Sequence, residues 1–317
     1  MIKRFIQKAR KTKAKIVLPE FYDERIQKAA KKARDFAVPV FPCWNKDDVA
    51  LSKKCGTKYI DCSSMQKELT KAYSKLSKVK ARTAEAIIKD KLISAALLLK
   101  LGYVDGMVGG CVYTSGDFIA VSKQIIGLKK GIRVPSSFFI MDVPGFGQYV
   151  YADASVNPNP TAEELADIAV MTGISVKKLL GIKPRIAMLS FSTKGSAEHP
   201  DVRKVIKATE IAQRKGKRFG LAIDGELQAD AALRLDVAKR KIKGDLGKVA
   251  GRANVLIFPD LDAGNIAYKL TQYFGKAFAY GPILQGFNKA LSDLSRGAKV
   301  EDIIGIIAIV SVLAKSK

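Results

Sequence analysis

Short continuous apolar runs alternate along this chain with longer stretches of helical period. Residues 15–19 (KIVLP) form an apolar run ended by proline and read as a buried strand. Residues 23–36 follow as a basic amphipathic helix. Residues 37–41 read as a second strand, 59–61 as a third, and 65–76 as the next helix. Thr83 is expected to cap a helix running to residue 100, with Glu85 and Asp90 on its wet side and Ile87, Leu97 and Leu98 inward. The segment 104–110 (VDGMVGG) reads as a strand passing into a glycine turn, and Thr114 and Ser115 precede a helix through residue 126. The pattern then restarts. An apolar strand at 136–144 leads into a Gly-rich link, and Asn-Pro-Asn-Pro-Thr at 157–161 is a turn and helix start, with Thr161 and Glu164 as a capping box. Helices at 162–180, 201–215 and 228–238 alternate with strands at 185–191, 220–223 and 253–259. Residues 303–314 (IIGIIAIVSVLA) are apolar on every side, which predicts a buried helix too short to span a bilayer. Short strands alternating with longer helices predict an α/β architecture with mostly parallel sheets.

Composition narrows the picture. At 317 residues, 48% hydrophobic, the chain has length and apolar content for two folded domains. The first residues (MIKRFIQKARKTKAK) lack the apolar core and cleavage site of a leader, and a basic helix there has too short an apolar face to hold a membrane. The cysteines (Cys43, Cys55, Cys62, Cys111) form no CxxC pair, and His199 is the only histidine. That set excludes a zinc site and a histidine-based triad, predicts no metal, and fits a reducing cytoplasm. The net charge of +25 suggests anionic partners. Its lysines are dispersed and no nucleic-acid-binding motif is present, so small phosphorylated ligands explain it as well as nucleic acid does.

Candidate chemistry gathers where strands end. Residues 281–302 (GPILQGFNKALSDLSRGAKVED) set Ser295, Arg296, Asp293 and Asp302 between a Gly-Pro turn and the apolar helix; the alternative is a loop whose ionic groups simply face water. Neither GxGxxG nor GxxxxGK[ST] occurs. Ser192, Thr193, Lys194, Gly195 and Ser196 follow a strand and precede a helix, where hydroxyls, a lysine and backbone amides can hold a phosphate or carboxylate. His199, before a proline, reads as a surface residue. Residues 223–230 (IDGELQAD) bring Asp224, Glu226 and Asp230 into one turn after a strand, as a metal or acid–base group or as partners in ion pairs. Asp260, Asp262, Gly264 and Asn265 follow another strand.

The segments VDGMVGG, NPNPTAEELADIA, MLSFSTKGSA, IDGELQADAA, VAGRANVLIFPDLDAGNIAYKL, YGPILQG and DLSRGAKVEDI occur in the order found in phosphate acetyltransferases, and the chain resembles that family over nearly its whole length. The resemblance implies two α/β domains with an interdomain cleft, similar to the isocitrate and isopropylmalate dehydrogenases. The first domain would hold residues 1–139 plus 285–317 and the second 140–284. It implies reversible acetyl transfer between coenzyme A and phosphate, by direct thiolate attack in a ternary complex without bound cofactor or metal. Asp302 would be the base, Arg296 would hold it and the phosphate, and Ser295 would bond the carbonyl oxygen. Residues 192–196, with Gly281, Pro282 and Gln285, would bind substrate. Family members are usually homodimers, and the partners implied are small anions rather than nucleic acid. A longer acyl group, butyryl-type, is the alternative substrate.

The chain also departs from the family pattern. Ser77 stands where the family has an arginine, Ala81 replaces a glycine, Tyr113 a histidine, Ala120 a second arginine and Ser292 an asparagine. A bidentate guanidinium clamp is not reproduced by serine or alanine. These losses make a non-catalytic, coenzyme A-binding relative the competing expectation.

Overall fold

The computed structural model describes residues 2–315. The chain divides into two compact units, residues 1–129 with 287–317, and residues 130–286.

The first unit begins with helix α1 (Ile2–Thr12), strand β1 (Lys15–Val17), helix α2 (Glu24–Ala33), strand β2 (Val38–Cys43), helix α3 (Lys46–Cys55), strand β3 (Lys58–Asp61) and helix α4 (Gln66–Ser77). Helices α5 (Ala81–Ile87) and α6 (Lys91–Leu101), strand β4 (Gly106–Gly109) and helix α7 (Ser115–Ile125) follow. The predicted helix from Thr83 to residue 100 is therefore broken. Asp90 does not lie on a wet helix face; its carboxylate accepts from the amides of Leu92 and Ile93 and starts α6.

The second unit contains strands β5 (Ser136–Val143) and β6 (Gly147–Ala152), helix α8 (Ala162–Leu180), strand β7 (Arg185–Leu189), helix α9 (Pro200–Lys217) and strand β8 (Ala222–Leu227). Helices α10 (Ala229–Leu233) and α11 (Leu235–Lys241), strand β9 (Val255–Ile257), helix α12 (Leu261–Tyr273) and strand β10 (Phe278–Gln285) complete it. The chain returns to the first unit with strand β11 (Ala290–Asp293) and helix α13 (Val300–Lys315).

In the first unit the strands run in the order β3-β2-β1-β4-β11, every pair parallel. The apolar helix α13 lies against β1, β4 and β11 and is covered outside by α1 and α2, which explains why no side of it is polar. Gly106 makes that approach possible: a Cβ there would stand 2.7 Å from Val310 Cγ1. Helix α6, with Leu92, Leu97, Leu98 and Leu99 buried, covers β2 and β4.

The second unit has the order β10-β5-β6-β9-β7-β8, antiparallel from β10 to β6 and parallel from β6 to β8. The predicted Gly-rich link is the turn of the β5–β6 hairpin, in which Gly145 and Gly147 take positive φ (76° and 94°). The predicted capping box is present: Thr161 accepts from the Glu164 amide while Glu164 accepts from that of Thr161. Helices α8 and α9 cover one side of this sheet and α12 packs on β5, β6 and β10, with the Tyr268 ring stacked on Phe139 at 4.1 Å.

Two sequence expectations about the site segments change here. Residues 281–285 and 290–293 are not loop but parts of β10 and β11, joined through residues 286–289; Gly281 and Pro282 lie inside β10, where the pairing with β5 shifts register because proline offers no amide hydrogen. Asp224 and Glu226 lie within β8 rather than in a turn after it, and Asp230 lies in α10.

Candidate functional site

In the first unit, Ser295, Arg296 and Gly297 are exposed directly after β11, and Asp302 is exposed in the first turn of α13. The turn is closed by the Ala298 amide on the Ser295 carbonyl (2.8 Å), and the Gly297 amide donates to Ser295 Oγ at 3.2 Å. Asp302 Oδ2 accepts from the Lys299 amide at 2.9 Å, so this carboxylate holds its own helix start rather than an Arg296 side chain. A carboxylate here also suits the helix dipole.

The groups that fix this segment from behind were not singled out in the sequence. Arg25 donates from Nη1 to the carbonyls of Arg296 (2.6 Å) and Ala298 (3.2 Å), and from Nη2 to that of Cys111 (3.2 Å). Asp23, the N-cap of α2, orients the guanidinium through bonds of 2.7 to 3.2 Å. Glu20 is fully buried; Oε2 accepts from the amides of Gly110 and Cys111 and Oε1 from those of Val112 and Tyr113, at 2.7 to 2.8 Å. Four amide bonds on one carboxylate fix the loop after β4. Their only sequence signal is an acid inside an apolar stretch (VLPEFYDE), where burial demands partners.

Asp293, at the end of β11, is 1% exposed, and neither carboxylate oxygen has a hydrogen-bond partner. Burial pushes its acid up to about 6; the nearby Ser115 hydroxyl acts next and in the opposite direction, and the Glu20 charge adds to the rise. Gly110, at φ 106°, leaves it room: a Cβ there would stand 2.0 Å from Asp293 Oδ1.

In the second unit, residues 192–196 follow β7 and are tied inward. Ser192 Oγ donates to Glu226 Oε1 at 3.0 Å, and the Gly195 amide donates to the same oxygen at 2.7 Å. Thr193 Oγ1 donates to Gln228 Oε1 at 3.1 Å and accepts from the Gln228 amide at 3.0 Å. Ser196 Oγ accepts from the Thr193 amide at 2.9 Å, and Lys194 Nζ pairs with Asp224 at 2.5 Å. The acids of residues 223–230 thus serve as partners for the loop and its lysine, and Asp230 pairs with Lys241 at 2.6 Å. Gln285 faces the interior, donating to Ser136 and Thr172 and accepting from Ser175. His199 caps α9 by accepting the Asp201 amide, with its side chain half exposed. Asp260 caps α12 and Asn265 donates to the Ala154 carbonyl at 3.0 Å, so these two serve the fold.

No thiol of the protein is poised for chemistry. The four cysteines are free and buried, and burial pushes Cys43, Cys62 and Cys111 up to about 12.

Residues 1–311 match the profile of the family described as phosphate acetyl/butaryl transferase. The chain belongs to this family. It is 44% identical to the phosphate acetyltransferase of Thermoanaerobacterium thermosaccharolyticum over 331 aligned positions, covering 99% of each chain. A phosphotransacetylase from Streptococcus pyogenes superposes with a TM-score of 0.91 at 38% identity over the whole of both chains. The 4-hydroxythreonine-4-phosphate dehydrogenase of Klebsiella pneumoniae, 13% identical with a TM-score of 0.53 over 96% of this chain and all of the other, shares the fold alone.

Within the phosphate acetyl/butaryl transferase frame, two of the substituted positions, Ser77 and Tyr113, have hydrogen-bond partners of their own. Ser77 Oγ accepts from Gln124 Nε2 at 2.8 Å. Tyr113 donates its hydroxyl to Asp90 at 3.0 Å, and burial makes that phenol a weaker acid than a free tyrosine. Ala120 is exposed on α7. Ser292 is fully buried in β11.

Proposed function

We propose that this chain is a phosphate acetyltransferase, moving acetyl reversibly between the sulfur of coenzyme A and inorganic phosphate. The observation that carries the reading is the exposed Ser295–Arg296 pair with Asp302 on the following helix turn. Its backbone is held from behind by Arg25, in a chain matched end to end by a relative of that name.

In the thioester-forming direction Asp302 takes the thiol proton of coenzyme A, because the thiolate and not the thiol is the nucleophile. Sulfur then attacks the carbonyl carbon of acetyl phosphate. The carbon–oxygen bond to phosphorus breaks, and phosphate leaves with the electron pair. Ser295 donates to the carbonyl oxygen as charge builds there, and Arg296 binds the phosphoryl group. Ser192, Thr193, Lys194, Gly195 and Ser196 serve the phosphate. Gly281, Pro282 and Gln285 act through the shape of β10, since the Gln285 amide is already bonded inside. The +25 charge suits substrates that are all anions.

The quaternary reading is a homodimer in the cytoplasm. Helix α12 and its surroundings expose Tyr273 (77%), Phe274 (84%) and Phe278 (66%) together with Ile266 and Leu270, an apolar face suited to a second copy of the chain. Phe274→Glu is expected to shift the mass in solution to that of a monomer. Buried free cysteines fit a reducing compartment.

The deciding experiment is thioester formation from coenzyme A with acetyl, propionyl or butyryl phosphate. Fastest turnover with acetyl supports the proposal, and faster turnover with butyryl moves the substrate to the longer chain. Binding of coenzyme A without turnover would replace it with the second reading, a non-catalytic relative, for which the observations are Ser77 already bonded to Gln124 and the bare Ala120.

A further inference from the structure

A cavity of about 590 Å³ lies at the carboxyl ends of β2 and β3 in the first unit, apart from the Ser295 segment on β11. Its lining has three chemical parts. Trp44, directly after β2, is the only tryptophan in the chain; its indole edge is pinned by the bond from Nε1 to Ser94 Oγ at 2.8 Å, and the rest of the half-buried ring lines the cavity. Lys46, Val49, Ala50 and Lys53 recur at positions i, i+3, i+4 and i+7 of α3, so one helix face presents an apolar centre between two lysines. Opposite them, at the end of β3, stand Asp61 and Ser63.

The electrostatics separate these parts. Of the two acids on α3, Asp47 and Asp48, Asp48 pairs with Lys91 and accepts from the Trp44 amide, so it does not neutralise the lysines of the cavity. The ammonium groups of Lys46 and Lys53 have no hydrogen-bond or ion-pair partner among the described residues. Asp61 Oδ1 accepts from the Ser63 hydroxyl (2.6 Å) and from the amides of Ser63 (3.0 Å) and Ser64 (3.4 Å). Those bonds fix its carboxylate as an acceptor at a strand end.

We propose that this cavity binds a nucleoside phosphate: a flat heterocycle against Trp44, Val49 and Ala50, sugar hydroxyls donating to Asp61, and phosphate between Lys46 and Lys53. The volume falls in the ordinary range for small-molecule sites, and a flat heterocycle stacks favourably on an aromatic ring. A carboxylate at a strand end accepting from ribose hydroxyls is a recurring arrangement in parallel sheets. No plain anion needs the aromatic wall, and no apolar ligand needs two lysines. The ligand is a free nucleotide or the nucleotide end of coenzyme A, which share this chemistry. The inference does not rest on acyl transfer, because occupancy is read without turnover.

The single tryptophan makes the test direct. ADP titrated into the full-length protein is expected to change Trp44 fluorescence saturably. The Lys46→Gln, Lys53→Gln double variant is expected to weaken the apparent affinity about tenfold; both lysines are exposed and unpaired, so its melting midpoint serves as the folding control. No fluorescence change with ADP would overturn the proposal. So would an equal change with inorganic phosphate alone, or an ADP response untouched by the double variant. Coenzyme A and pantetheine separate the sources. A response to coenzyme A but not to pantetheine, with a raised KM for coenzyme A in the double variant, places the nucleotide end of coenzyme A in the cavity. A response to ADP alone makes it a separate nucleotide site.

Discussion

The two candidate loops, one in each unit, are held in opposite ways. Residues 192–196 are tied through their functional groups: Ser192 and Gly195 donate to Glu226, Lys194 pairs with Asp224, and Thr193 exchanges bonds with Gln228. The Ser295–Asp302 segment is tied through its backbone, with Arg25 bonded to the carbonyls of residues 296 and 298 while the Arg296 and Ser295 side chains stay exposed. A loop whose donors already face an internal carboxylate must exchange partners to take a phosphate. A segment braced at its carbonyls presents its side chains without rearrangement.

The largest effect that would test this contrast is expected at Asp302. Asp302→Asn removes the proposed base but keeps an oxygen to accept the Lys299 amide, so turnover should fall about 10²–10⁴-fold with little change in the melting midpoint. Steady-state rates beside thermal unfolding check it. Equal losses in both would show that the carboxylate serves the helix alone.

Asp293 comes next. Its acid is pushed up to about 6 in the folded chain, above the ordinary value of 3.8, so the folded state holds the proton more tightly. That contribution to stability is complete below pH 4, is lost as pH rises to 6, and is flat above. The full span is about 3 kcal/mol. Asp293→Asn should flatten the slope of stability in that window, as read by denaturant unfolding across pH.

Arg25→Ala leaves three carbonyls without their donor and should cost about 2 kcal/mol, together with some tenfold in turnover because the segment loses its brace. Partial recovery of both by Arg25→Lys would fit a positional role. The smallest effect is expected in the other loop. Glu226→Gln keeps an acceptor for Ser192 and Gly195 but removes a negative charge beside them, so KM for acetyl phosphate should fall several-fold. A raised KM would mean that this charge orders the loop for substrate.

Local order in the sequence marked the elements whose cause is local. Thr161 and Glu164 announced α8, the unbroken apolar run of residues 303–314 announced α13, and strands β1 and β2 followed from their β-branched and apolar runs. The break at Asp90 was hidden, because an acid on a wet helix face and an acid capping a new helix look alike until the amides of residues 92 and 93 are placed. Strands β10 and β11 carry glycine, proline and polar residues, so their identity comes from neighbours distant in sequence. The same holds for the site. Ser295, Arg296 and Asp302 were legible as a cluster of reactive types, whereas Arg25 and Glu20 act across separations of about 90 to 270 residues that no spacing reveals.

Helix α13 also orders events in time. It follows every other element of the described residues, yet it fills the space between α1, α2 and the sheet of the first unit. As the chain leaves the ribosome, β1 to α7 emerge first but lack β11 and α13, while residues 130–286 form an uninterrupted unit that can close on itself. At ordinary synthesis rates the early segment waits on the order of ten seconds, with the surface destined for α13 uncovered. The unit of residues 130–286 can thus finish folding before the unit whose first strands precede it.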